Sequence, residues 1–270
     1  MTPQDRDLVA RLCGERAGLR IEPEKSYLLE NRLGPVARRE GFASVHELVC
    51  AVRDRGEERL IWAAVEAMSP VETAFFRDPA VFELILAQVL AGSAGRSEDR
   101  PIRIWAASAG AGQEAYSLAM LLAEAGPGGG RVEIFASDLS EHRLEKAQRG
   151  LYSQFEVQRG LSARRLVRHF EAAEEGFAIS PRVRATVRWQ RANLIEDLGR
   201  LGRFDLVLCR NLLNCLHGPA RERVLSNLAA ALRPGGCLVL GAAEAAPGLV
   251  AAEGRPGFFF EGSAAARAAA

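Results

Sequence analysis

Apolar residues in the first part of the chain recur at helical spacing. Val45, Leu48, Val49 and Val52 fall on one face, and Ser44 with Glu47 gives that helix a capping-box start. Leu60, Ile61, Ala64, Val65 and Met68 make a second face of the same period. No stretch before about residue 70 alternates as a half-buried strand does, so this part reads as a small helical domain. Within residues 27–40, Pro35 is expected to kink or restart a helix from which Arg32, Arg38 and Arg39 project. Arg32 and Arg39 share a face that either meets an acidic partner or is a solvated basic surface.

Beyond residue 70 the period changes. Asp78 and Pro79 suit the N-cap and first position of a helix that turns Val81, Phe82, Ile85, Leu86 and Val89 inward, with Arg77 at its entrance. Residues 91–101 are small and polar and read as a loop. Ile102, Ile104 and Trp105 then open a strand, residues 108–112 are all small, and residues 113–125 are helical. A break at 126–130, a strand at 131–137 closed by Asp138, and a Ser140-capped helix carrying Leu144 and Ala147 complete a βαβ unit. Residues 162–170 form a short helix. The rough alternation of Phe177, Ile179, Val183 and Val187 predicts short antiparallel strands outside the main sheet, and residues 186–191 a third main strand. Residues 204–209, FDLVLC, suit a central parallel strand buried on both faces, ending in the polar pair Arg210 and Asn211. Pro219 opens a helix with Val224, Leu225, Leu228 and Leu232 inward, residues 233–236 turn, and residues 237–240 form another buried strand. The tail carries no pattern.

Composition narrows the function classes. A chain of 270 residues can bury roughly three quarters of its unfolded surface. Its formal net charge of +1 argues against a general nucleic-acid or membrane-surface binder. Cys13, Cys50, Cys209, Cys215 and Cys237 form no C-x-x-C pair and no Cys/His cluster of zinc spacing. They are read as reduced and mostly structural, with no metal site expected. No segment is long and apolar enough to cross a bilayer and the N-terminus is charged, so the expectation is a cytoplasmic protein without membrane insertion; a monomer is expected as well.

Residues 102–117, IRIWAASAGAGQEAYS, concentrate the candidate chemistry. Gly110 and Gly112 let the backbone approach a ligand closely, and the following helix presents its N-terminus to acceptor or anionic groups. Such a loop also arises where a tight strand-to-helix turn merely needs glycine. Asp138 lies about 26 residues beyond it, near the spacing at which an acid ending the second strand of a nucleotide fold bonds ribose hydroxyls. N-capping of its own loop is the competing role.

Four segments in order, ETAFFRDP, IWAASAGAGQEAYSLAM, ASDLSEHRLEKAQRGLY, and FDLVLCRNLLNCL followed by LRPGGCLVLGAAE, together resemble the chemotaxis receptor methyltransferases of the CheR type. The resemblance implies an α/β fold: a class I S-adenosylmethionine-dependent methyltransferase (Rossmann-like) domain at 76–270, a helical domain at 1–75, and a small antiparallel β subdomain inserted near 170–188. It implies methyl transfer from S-adenosyl-L-methionine, leaving S-adenosyl-L-homocysteine, to glutamate carboxylates on the cytoplasmic helices of chemoreceptors. Matched to the family's motifs, Thr73, Arg77, Gly110, Gly112, Glu114, Asp138, Leu139, Asn193, Leu194, Asn211 and Leu212 are the cofactor-side residues, and Arg77 is the candidate catalytic residue.

The chain departs from the family pattern at three points. Val71 stands where asparagine is common, Gln113 where a first glutamate is, and Cys215 where a tyrosine is. These put rate and substrate in doubt more than cofactor binding. Cys215 has no base placed beside it and reads as a packing residue. The insert EAAEEGF is short, and the expectation is that no receptor C-terminal pentapeptide tethers this protein. The alternatives are a methyltransferase of the same fold acting on another protein or a small molecule, and a non-catalytic cofactor-binding signalling module.

Overall fold

The computed structural model describes residues 1–22, 27–70, 73–93, 100–126 and 131–260. Val71, parts of the expected loop at 91–101 and break at 126–130, and the tail lie outside them. The chain divides into two compact units: residues 1–70 with 193–197 and 211–227, and residues 71–192 with 198–210 and 228–270.

The first unit is built on α1 (Pro3–Ala17), α2 (Tyr27–Arg39), α3 (Val45–Arg55) and α4 (Glu58–Met68). Thr2 and Asp5 close a full capping box on α1, Ser44 caps α3 by accepting from the Glu47 N–H, and Gly18 and Gly56 end α1 and α3 in the left-handed conformation. Leu29, Leu33, Leu48, Val49, Leu60 and Val65 supply its core. Helix α2 runs through Pro35 without a break in its span. Arg32 does not project: its Nη1 donates to the Met68 carbonyl at 2.8 Å, tying α2 to the end of α4. Arg39 pairs with Glu40 at 3.0 Å, and Arg59 reaches the same carboxylate.

In the second unit α5 (Pro79–Ser93) leads to β1 (Ile102–Ala106), α6 (Gln113–Ala125), β2 (Val132–Asp138) and α7 (Glu141–Arg149). Next come β3 (Leu151–Tyr152), α8 (Gln154–Gln158), α9 (Ala163–His169), β4 (Phe170–Ala173), β5 (Gly176–Ile179), α10 (Pro181–Arg184) and β6 (Val187–Arg191). The chain continues through β7 (Phe204–Cys209), α11 (Gly218–Ala230), β8 (Leu232–Leu240), β9 (Val250–Ala251) and β10 (Phe258–Phe260). The main sheet has the order β6-β2-β1-β7-β8-β10-β9. Strands β6, β2, β1, β7 and β8 run parallel, and β10 is antiparallel to both β8 and β9. Strand order therefore reverses between β1 and β7, and a ligand crevice belongs outside the carboxyl ends of these two strands. The expected antiparallel insert is the separate sheet β3-β5-β4.

Three expectations are corrected. Val183 lies in α10, because Ser180 and Pro181 start a helix where alternation suggested a strand. Leu232 is not on the inner face of α11, which ends at Ala230; it opens β8. The turn expected at 233–236 is absorbed into β8 as a register shift against β7, with Gly235 at φ 80°.

Among the described residues no helix is long and apolar enough to cross a membrane.

Candidate active site at the carboxyl ends of β1 and β7

The loop after β1 is pinned at almost every residue. Ala107 N–H extends the ladder to Leu208 O at 2.8 Å, and Ala109 N–H donates to Ser137 O at 2.9 Å. Gly110 N–H donates to Asp138 Oδ2 at 2.8 Å, and Tyr152 Oη donates to Ala111 O at 2.6 Å. The two glycines are required for different reasons. Gly112 has φ 93°, and a Cβ there would sit 2.8 Å from Trp189 Cη2 and 2.9 Å from Ala147 Cβ. Gly110 has φ 55° and faces Thr73, whose Cγ2 would lie 3.4 Å from an added Cβ. Gly112 is thus fixed by packing inside the unit, while Gly110 lies against the segment before α5.

Each side chain of the motif Glu114, Tyr116, Ser117 on α6 holds a different piece of the unit. Glu114 Oε1 accepts from Arg210 Nη1 at 2.6 Å. Tyr116 Oη donates to Ala147 O at 2.7 Å, fastening α7. Ser117 Oγ donates to Gln113 O at 2.7 Å and accepts from Phe76 N–H at 2.9 Å, fastening the FFR segment. Arg210, whose side chain is only 1% exposed, also donates from Nη1 to Arg77 O at 2.9 Å and pairs through Nη2 with Asp78. The three sequence segments ending in FFRD, EAYS and CRN are therefore joined through one buried guanidinium. Burial raises the Glu114 carboxyl above its ordinary range; Arg210 first and Arg77 after it pull it down without overcoming that cost.

Backbone strain is confined to the same segments. Among the described residues, the non-glycine residues with positive φ are Phe76 at 47°, Asp78 at 58° and Asn211 at 61°. Asparagine tolerates this region, but for phenylalanine it is an outlier, and such strain gathers where a site over-determines the backbone. Asp78 accordingly is no simple N-cap; its carboxylate serves Arg210.

Several residues singled out in the sequence are brought together here. Thr73 lies where a side chain on Gly110 would point, Gly110 is bonded to Asp138, and the Arg77 charge acts on Glu114. Asp138 is 3% exposed, and its second oxygen accepts from Ser140 N–H at 2.9 Å, so it anchors the loop on both sides. Leu139 is half-buried, and its carbonyl accepts from Arg191 Nε at 3.1 Å. Asn193, Leu194, Asn211 and Leu212 belong to the other compact unit. There Asn193 Nδ2 donates to Arg16 O at 2.8 Å, and Leu194 is buried with its carbonyl accepting from Asn227 Nδ2 at 2.8 Å. Asn211 and Leu212 are half-buried, and the Asn211 carbonyl accepts from Cys215 Sγ at 3.9 Å. Arg210 was noted in the sequence only as half of the polar pair closing an apolar strand and was not named as a site residue; that position was the signal.

A family model described as CheR methyltransferase, SAM binding domain, matches residues 71–253. The chain belongs to the CheR methyltransferase family. It is accordingly a methyltransferase with S-adenosyl-L-methionine as cofactor and a class I methyltransferase fold. Chemotaxis protein methyltransferase 1 of Pseudomonas aeruginosa is 35% identical over 248 residues, covering 89% of this chain and 90% of that protein. Chemotaxis protein methyltransferase 1 of Vibrio cholerae is 35% identical over 244 residues, covering 88% of each. A solved glycopeptide N-methyltransferase, MtfA, complexed with S-adenosyl-L-methionine, matches at a TM-score of 0.37 and 17% identity, over 63% of this chain and 59% of that one, and adds nothing to the assignment.

The residues present fit this cofactor. Thr73 Oγ1 and Gln113 Oε1 are buried without a hydrogen-bond partner, beside the loop at the strand-order reversal. Buried polar atoms are rarely left so, and an ammonium or hydroxyl-bearing ligand satisfies them. Gln113, where the family pattern has glutamate, is 3% exposed and still directs an acceptor oxygen inward.

Proposed function

We propose that this protein transfers methyl groups to glutamate side chains on the cytoplasmic helices of chemoreceptors, giving methyl esters for sensory adaptation. The observation carrying this reading is the near full-length similarity to chemotaxis protein methyltransferases, beside the FFR, EAYS and CRN segments that resemble that family. When bound, S-adenosyl-L-methionine supplies an electrophilic methyl carbon on a sulfonium sulfur. A glutamate acceptor, with an ordinary pKa near 4.3, is ionised at neutral pH and needs no general base. The work left to the protein is to desolvate the carboxylate and align one oxygen, and such positioning is worth roughly 7–11 kcal/mol.

Arg77 orients charged groups at the site, and its backbone is held by Arg210. Thr73, Gly110, Gly112, Gln113, Glu114, Asp138 and Leu139 form the cofactor side of the sheet unit; Asn193, Leu194, Asn211 and Leu212 are cofactor-side candidates by their match to the family's motifs alone. Residues 1–75 act as the helical domain and 76–270 as the catalytic one. No pentapeptide tether is used: β4 and β5 are joined through only Glu174 and Glu175, and calorimetric binding of a receptor C-terminal pentapeptide would count against this.

The test is incubation with labelled cofactor and purified receptor cytoplasmic fragments. Base-labile label on the fragments supports the proposal. Label on another protein or a small molecule, or cofactor binding with no turnover, removes it.

A further inference from the structure

The helical unit holds a cluster that the methyltransferase chemistry does not use. His46 and Cys50 lie one turn apart on α3, and Asp5 reaches them from the first turn of α1. One ligand atom from each, an Asp5 oxygen, a His46 ring nitrogen and Cys50 Sγ, lies within 4.8 Å of the others. His46 Nδ1 is 2.7 Å from Asp5 Oδ2 and 3.9 Å from Cys50 Sγ, so one ring nitrogen faces both other donors. Ligand atoms around tetrahedral zinc are about 3.3–3.7 Å apart, given metal–ligand distances of about 2.0–2.3 Å, so small side-chain shifts bring the three into a coordination sphere.

A second observation points to a ligand. Asp5 is 1% exposed; its Oδ2 accepts from Thr2 N–H at 2.7 Å and faces His46, but its Oδ1 is buried with no hydrogen-bond partner. The capping box explains one oxygen and leaves the other unexplained. His46 is half exposed, which gives an ion a path in, and Arg53 Nη2 lies 3.4 Å from Cys50 Sγ. The cysteine expected to be merely structural therefore sits in a mixed oxygen, nitrogen and sulfur donor set, which suits zinc-class divalent ions over magnesium or calcium. Spacing alone concealed it, because the third donor lies 41 residues before the histidine.

We propose that Asp5, His46 and Cys50 bind one zinc-class divalent ion, with water completing the sphere, as a clip between α1 and α3. The full chain is equilibrated with Zn2+, desalted and assayed for metal, and titrated separately with Co2+. Expected are about one equivalent of zinc, a thiolate-to-cobalt charge-transfer band, and a higher melting temperature with zinc. All three are lost in His46→Gln and Cys50→Ser, whose side chains are exposed or half-buried enough to spare the fold. No retained zinc in the wild type, or equal zinc and equal melting shifts in wild type and both variants, overturns the proposal.

Discussion

Replacing each loop glycine by alanine separates backbone strain from packing. At Gly110 the added methyl meets Thr73 at an ordinary 3.4 Å, so the cost is that of holding alanine at φ 55°, about 1–2 kcal/mol. At Gly112 the same kind of backbone penalty applies at φ 93°, and the methyl also lies under 3.0 Å from Trp189 and Ala147. Overpacking of that kind adds about 1–3 kcal/mol, which makes Gly112→Ala cost about 2–5 kcal/mol in total. Urea denaturation followed by circular dichroism reads both. Cofactor titration distinguishes them further, since the Gly110→Ala methyl occupies space beside Thr73 on the cofactor side and weakens binding without much loss of stability. Equal destabilisation by the two substitutions, or a cost under 1 kcal/mol at Gly112, refutes the assignment of Gly112 to internal packing.

Other consequences follow from the buried network. Arg210→Met leaves the Glu114 carboxylate buried without its cation and should cost about 3–5 kcal/mol, while Arg210→Met combined with Glu114→Leu recovers more than half, read by a double-mutant cycle in urea. Ser117→Ala strands the buried Phe76 N–H and should cost about 1–3 kcal/mol, with weaker cofactor binding as the FFR segment loosens. The raised Glu114 carboxyl means the folded state holds its proton more tightly than the unfolded chain. Its contribution is therefore present below the ordinary carboxylate range and lost as pH rises through the folded value. The stability difference between wild type and Glu114→Gln should accordingly fall with rising pH across that window; a pH-independent difference would contradict the cause given.

Much of the fold was legible because period and punctuation agreed. The strand at 204–209 and the helix at 113–125 match β7 and α6 to the residue, since one is an apolar run broken only by Asp205 and the other follows glycine directly. Strands β9 and β10 escaped because two or three residues hold no measurable period, and Phe258–Phe260 is strand only by pairing with β8. The helix at Pro181 was readable from serine followed by proline, but alternation outweighed it. In the site, acids were weighed without their counter-charge: Glu114 and Arg210 lie 96 residues apart, and no local pattern joins them. Asp138 was legible as important, and its bonds to Gly110 and Ser140 give it a role in setting the loop whether or not a ribose is bound.

Carboxyl methylation of a receptor glutamate is read out by mass spectrometry of a receptor cytoplasmic fragment co-expressed with this protein. Expected are added methyl groups on specific glutamates, removed by mild base and absent with Arg77→Ala. Unmodified glutamates beside a protein that binds cofactor, or methyl groups stable to base, would contradict it.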